Sequence, residues 1–276
     1  MERLIVKDLT LEIKDRVLLN HLNFELEAHE SLGIVGESGS GKTLFSRLLI
    51  GRKPQGADIQ GELTYRDWDI LKLKEKDWQE IRGRKIAYIA QNPHGLFNEM
   101  QTIESHGLEV LTSLLKITKD QAREKFVQAM EDFNLENSRD LLKKYPFQLS
   151  GGMLQRVMLA MMMELNPYMV IADEPTSALD SWNAENVADL LRICKSKGTQ
   201  LLVITHDYRL LKGLVDRIVI LKKGDLIESG PLEEVLKNPK SEYGKALLAP
   251  RTYKRYRDIP EKRDYGFKDW KLNKIL

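Results

Sequence analysis

A chain of 276 residues, with 42% hydrophobic and 30% charged residues, is long enough to bury a substantial core as one large domain or two small ones. Its net charge of +2 argues against a dedicated nucleic-acid binder, and its single cysteine, Cys194, excludes an internal disulfide or a cysteine metal cluster held within the chain. The longest apolar run, Val157 to Met163, has seven residues, against the ~20 that a bilayer span requires. The opening "MERLIVKDLTLEI" alternates like a strand and lacks signal-peptide architecture, so a cytosolic protein is expected.

In chain order, "LIVKDLTLEI" and "LNFELEA" read as strands of an early antiparallel sheet. "SLGIVG" (Ser31 to Gly36) is a short apolar strand ending in glycine, followed by a helix, "KTLFSRLLIG", closed by Gly51. "GELTYRDWDIL" is strand-like, and "KIAYIAQNP" is a buried strand cut off by Asn92 and Pro93. From about Thr102 to Leu142 the pattern is helical. The helix after Ser150 carries Leu154, Val157, Met158, Met161, Met162 and Leu165 as one apolar stripe, with Leu159, Ala160 and Met163 on the other side, and ends at Asn166-Pro167. Its methionines read as core filler. "YMVIADEP" is a buried strand running into acidic residues, "SWNAENVADLLRICKSKG" a helix that packs the Cys194 thiol, "TQLLVITHD" a strand, and "DRIVILKKGDLIESG" a hairpin across Lys223-Gly224. Strands alternating with helices predict an α/β fold whose parallel sheet is covered on both faces, with a helical lobe inserted between the second and third buried strands. From Pro250 to Leu276 there are nine Lys or Arg and four Asp or Glu, a net of +5 on a peripheral extension.

Two motifs carry chemistry. "GESGSGKT", comprising Gly36, Glu37, Ser38, Gly39, Ser40, Gly41, Lys42 and Thr43, fits G-x-x-x-x-G-K-[ST] between a strand and a helix. Its glycines let successive N–H groups face one phosphate group. Lys42 supplies charge for the β- and γ-phosphates, and Thr43 a hydroxyl for Mg²⁺. In "MVIADE", Asp173 ends a buried strand where it suits Mg²⁺ binding, and Glu174 follows where it can take a proton from an attacking water. By itself this pair leaves kinases, GTPases, helicases and transport ATPases open.

With further motifs the set resembles the ATP-binding subunit of ABC transporters. "LSGGM" (Leu149 to Met153) is similar to the family signature, "SALD" (Ser177 to Asp180) to its D-loop, Gln91 to its Q-loop glutamine and His206 to its switch histidine, all in family order over roughly residues 1–245. "GESGSGK", "LSGGMLQR", "IADEPTSALD" and "SEYGKALL" resemble the peptide/nickel importer branch. The resemblance implies a P-loop NTPase (RecA-like) core with an antiparallel β subdomain. It implies an ATPase domain over 1–245 with a helical subdomain at about 93–165, and a basic extension over 246–276. ATP and Mg²⁺ are the implied cofactors, with Thr43, Gln91 and Asp173 on the metal and Lys42, Glu174 and His206 in catalysis. Ser150, Gly151 and Gly152 are implied to meet the γ-phosphate of ATP held by a facing subunit.

The implied partners are a second, non-identical ATPase, two membrane permeases and an extracellular binding protein, with no nucleic acid. The implied location is peripheral, at the cytoplasmic face of the membrane. Two departures stand out. Met153 occupies a position where many relatives carry Gln, and no Tyr, Phe or Trp lies between Met1 and His21, so base contact falls to Ile13 and Val17 and base selectivity is expected to be loose. The lack of a cysteine-bearing C-terminal extension leans toward nickel or metallophore cargo. A soluble ABC ATPase acting on nucleic acid or ribosomes is the alternative reading.

Overall fold

A computed structural model describes residues 3–89, 95, 97–176 and 181–249, with the backbone alone at 181–184 and 186. Gln91, Ser177 to Asp180 and residues 250–276 lie outside the described residues.

The chain opens with the antiparallel pair β1 (Leu4–Ile13) and β2 (Arg16–Leu26). The second strand begins six residues earlier than the alternation at "LNFELEA" suggests, because Leu19 pairs with Leu11 and is itself buried. Next come β3 (Leu32–Val35), α1 (Lys42–Leu48), β4 (Ala57–Tyr65), β5 (Trp68–Asp69), α2 (Glu75–Ile81) and β6 (Ile86–Ile89). The helical lobe holds α3 (Ile103–Leu115), α4 (Lys119–Asp132) and α5 (Ser138–Leu141), and leads through a 3-10 turn at Pro146–Gln148 into α6 (Gly151–Met163). The chain then forms β7 (Met169–Asp173), α7 (Ser181–Ser196), β8 (Gln200–Thr205), the hairpin β9 (Arg217–Lys222) and β10 (Asp225–Pro231), α8 (Leu232–Lys237) and α9 (Glu242–Leu248).

The strands join in one curled sheet of order β5-β4-β1-β2-β10-β9-β3-β8-β7-β6. Within it β6, β7, β8, β3 and β9 run parallel, while β4, β1 and β2 are antiparallel. The two parts meet where Asp225 of β10 pairs with Asn20 of β2, reinforced by Asn20 Nδ2 donating to Asp225 Oδ1 at 2.7 Å.

Period-2 alternation sorts the strand residues between two cores. In β7, Val170 and Ala172 pack with α6, α7 and the helical lobe, whereas Met169 and Ile171 pack with α1 and the early strands. In β8, Leu201 and Val203 face the first core and Leu202 and Ile204 the second. Both faces are covered, so β7 and β8 are fully buried runs rather than half-polar ones. Such burial is worth about 1.5–3 kcal/mol per large apolar side chain, which holds the polar ends of these strands in fixed positions.

The lobe is closed by local chemistry. Thr102 caps α3 by accepting from the Ser105 N–H, and Thr118 and Gln121 form a reciprocal cap at α4. Gly107 of α3 lets the Phe126 ring of α4 sit directly against its backbone. As its composition predicts, α6 is buried on both sides, with Met161 and Met162 half-covered. Cys194 is buried, and burial pushes its thiol up to about 12. Three helices escape the sequence reading. The first, α2, has only Trp78 and Ile81 buried, and α8 and α9 are six and seven residues long.

Candidate functional site

The polar ends of three parallel strands converge at the carboxyl edge of the sheet, where α/β folds bind ligands. After β3 the chain turns back through Gly36 to Thr43 and enters α1. Gly41 makes that entry possible. Its φ is +104°, and a Cβ there would lie 2.7 Å from Leu19 Cδ2. At Gly36 a Cβ would overlap the Leu221 carbonyl oxygen, so the loop hugs β9. Lys42 folds back under the loop and donates to the Gly36 and Glu37 carbonyls at 2.8 and 2.9 Å. Burial pushes its pKa below the ordinary value, against the opposing pull of the Glu174 and Asp173 carboxylates.

At the end of β7, Asp173 is buried and accepts from Thr43 Oγ1 at 3.1 Å and from the Tyr88 hydroxyl at 2.6 Å. Burial, then the bond to Asp173, pushes Tyr88 up to about 12, so Tyr88 stays a donor. Tyr88 was not singled out from sequence. Within "KIAYIAQ" it looks like an ordinary strand aromatic, and only the alignment of Tyr88 with Ile171 in neighbouring strands brings it beside Asp173.

Glu174 leaves the sheet with φ +49°, a strained conformation for a side-chain-bearing residue, held by its N–H donating to the Ile204 carbonyl at 2.8 Å. This turn carries its carboxylate to His206 just beyond β8, where Nδ1 and Glu174 Oε2 are 2.8 Å apart. Ser38, Gly39, Ser40, Gly41, Lys42, Thr43, Glu174 and His206 line one cleft of about 490 Å³, with Leu18 and Leu44 as its apolar wall.

The cleft fits a Mg²⁺-nucleotide. Thr43 and Asp173 form a hard oxygen pair, and Lys42 brings a cation to the loop. The buried Ser40 Oγ is without a hydrogen-bond partner among the described residues. The sequence-predicted Gly36 to Thr43, Asp173, Glu174 and His206 are thus brought together, while Gln91 lies outside the described residues.

Ser150, Gly151 and Gly152 do not line this cleft. Ser150 is the N-cap of α6 and accepts from the Met153 N–H at 3.3 Å. The two glycines follow, exposed, in the first turn, where N–H groups have no partner within the helix. This helix start is therefore a second, separate phosphate-compatible surface on the same chain. The described parts of the first surface carry no Phe, Tyr or Trp. Ile13 is half-buried and Val17 exposed.

Residues 19–177 match the ABC transporter family. The metal-staphylopine import system ATP-binding protein CntD of Staphylococcus aureus (strain NCTC 8325 / PS 47) is 34% identical over 252 residues, covering 90% of this chain and 93% of that protein. The oligopeptide transport ATP-binding protein OppD of Bacillus subtilis (strain 168) is also 34% identical, over 88% of this chain and 70% of its own length. Among solved structures, a dimeric post-hydrolysis state of an ATP-binding cassette bound to ADP and Pi aligns with a TM-score of 0.69 and 26% identity, covering 83% of this chain and 98% of that one.

Proposed function

The chain belongs to the ABC transporter family as an ATP-hydrolysing, ATP-binding subunit that uses ATP and Mg²⁺, and from that premise we propose that it energises an importer of metal chelates or peptides through partner permeases. The observation that carries this reading is the separation of two phosphate-compatible surfaces. One chain offers Lys42, Thr43, Glu174 and His206 in a cleft, with buried Asp173 bonded to Thr43, and the exposed start of α6 in another place.

Two such subunits facing head to tail complete each other's sites. The N–H groups from Gly36 to Thr43 hold the phosphates, and Lys42 exchanges its two loop carbonyls for β- and γ-phosphate oxygens. Thr43 and Asp173, with Gln91, would hold Mg²⁺, which would supply positive charge to offset the charge that develops on the phosphates. Tyr88 keeps Asp173 oriented. Glu174 accepts a proton from the attacking water, and His206 holds that carboxylate in place. Ser150, Gly151 and Gly152 of the facing subunit cap the γ-phosphate with the positive end of α6. That cap engages nucleotide only when the pair is closed, so ATP shifts the population toward closure. The helical lobes carry the motion to the permeases.

In this reading the partners are a second ATPase of similar but non-identical sequence, two permeases and an extracellular binding protein, and the chain sits peripherally at the cytoplasmic face. No described helix is long and apolar enough to cross a membrane. For cargo, a metal chelate such as a nickel complex or a peptide is proposed, since the metal-staphylopine and oligopeptide relatives are equally identical to this chain. The match spans 93% of the metal-staphylopine relative and 70% of the oligopeptide relative. The test is uptake of chelated radionickel and of labelled oligopeptide in cells carrying the wild-type chain or Glu174→Gln. Loss of chelated-metal or of peptide uptake is expected and identifies the cargo, and unchanged uptake of both overturns the importer reading.

A further inference from the structure

Large exposed apolar side chains among the described residues are few: Val17, Met100, Tyr145 and Phe147. Three of the four flank the two nucleotide-compatible surfaces. Val17 is 43% exposed and adjoins Leu18, which forms the apolar wall of the phosphate cleft. Tyr145 and Phe147 stand on the 3-10 turn that leads into Ser150. Their rings are stacked, with centroids 5.7 Å apart and planes 15° from parallel, and Phe147 remains 67% exposed.

The turn holds them outward. Gln148 Oε1 accepts from the Tyr145 N–H at 2.9 Å, while Pro146 and Leu149 on either side are buried and anchor the segment. Phe147 thus pays a solvation cost on a fixed backbone, with one ring face against Tyr145 and the remainder in water.

We propose that Phe147, backed by Tyr145, stacks on the purine base of the nucleotide held by the facing subunit, closing against Val17 of that subunit. This rests on the two-subunit site proposed above and adds the group that recognises the base. Among the described residues the cleft's apolar lining is aliphatic, from Leu18 and Leu44. Phe147 stands three positions before Ser150, a reach of at most about 11 Å. With that reach the exposed ring is able to extend past the phosphates toward the base of the same nucleotide. Aromatic stacking tolerates any purine, which agrees with a cleft whose described lining has no other reader of base identity.

The test uses the full-length chain carrying Glu174→Gln, in whichever ATPase pair it forms with Mg-ATP, with and without Phe147→Ala. The readout is the nucleotide concentration at half-maximal closure, measured by light scattering of the eluting pair. Loss of one stacked base predicts a shift of at least about fivefold for ATP. Closure by Mg-tripolyphosphate, which has no base, is expected to stay the same in both proteins, and Phe147→Trp is expected to restore the ATP value. Equal ATP values for the parent and Phe147→Ala overturn the proposal and leave the two-subunit site standing. An equal shift with tripolyphosphate also overturns it, because the damage is then to the phosphate cap. If the Glu174→Gln parent closes with neither ligand, the two-subunit reading fails and this proposal falls with it.

Discussion

His206 Nδ1 lies 2.8 Å from Glu174 Oε2, although the two residues stand on different strand ends and Glu174 reaches the contact only through a left-handed backbone. The pair is a carboxylate with an orienting partner at the mouth of a phosphate cleft. Glu174→Gln keeps the shape and removes the proton acceptor. ATP binding should persist while turnover falls by about 10²–10⁴-fold, the usual worth of a positioned base. His206→Ala should lower turnover through loss of positioning and leave the KM for ATP less affected. Steady-state hydrolysis by both variants checks this, and unchanged turnover in Glu174→Gln removes Glu174 from the chemistry.

Tyr243 of α9 ties the C-terminal part of the domain to the phosphate loop. Its hydroxyl accepts from the Glu37 N–H at 3.3 Å, while Lys222 lies over its ring. Tyr243→Phe deletes only the hydroxyl. A hydrogen bond is worth about 0.5–1.5 kcal/mol net, so the KM for ATP should rise by roughly 2- to 10-fold with kcat nearly unchanged. The KM and kcat values of the variant give the answer, and a fall in kcat alone would contradict the assignment.

Lys42 gives a pH signature. Burial holds its pKa below the ordinary 10.5 in the folded chain, while the unfolded chain keeps the ordinary value. Between those two values the unfolded state binds more protons, so nucleotide-free stability rises with pH across that window. Below the window the buried charge is a cost carried in full. Lys42→Met should flatten this contribution. Urea unfolding of both proteins across the alkaline range measures it, and equal pH slopes would show that Lys42 is not strained by burial.

Gly107→Ala tests the packing of the helical lobe. In an open helix the change would stabilise by roughly 0.5–1 kcal/mol. Here a Cβ would overlap the Phe126 ring, itself fully buried between α3 and α4. Overpacking of this kind costs about 1–3 kcal/mol. A thermal or urea melt should therefore show destabilisation, and a gain in stability would mean that the α3–α4 crossing is looser than described.

Much of this is legible in the sequence itself. "GESGSGKT", "MVIADE" and "VITHD" each place a polar group at the end of an apolar run, so a parallel sheet delivers them to one edge. The apolar composition of α6 and the unbroken apolar runs of β7 and β8 follow from burial alone. What escaped reading depends on contacts between distant parts of the chain. The joining of the two strand groups rests on Asn20 meeting Asp225, and the link from Tyr243 to Glu37 spans a similar separation. Tyr88 gains its role only from its register against β7. Short helices such as α2 carry too few apolar positions for periodicity to register: Trp78 is placed by its fit over Gly51, a tertiary effect. The positive φ of Glu174 has no sequence signal, because its type is set by chemistry and its conformation by the bond to Ile204.

The central claim is that one subunit's phosphate loop works with another subunit's signature helix, and subunit mixing tests it most directly. Lys42→Ala spoils a subunit's own loop, and Gly151→Asp spoils the cap it offers its mate. With both in a Glu174→Gln background, and the pairs formed from two copies of this chain without the second ATPase, each variant alone should occlude no ATP. Mixed, they should recover one occluded ATP per pair, because one of the two junctions then combines an intact loop with an intact cap. No recovery on mixing, or full occlusion by Gly151→Asp alone, would contradict the account.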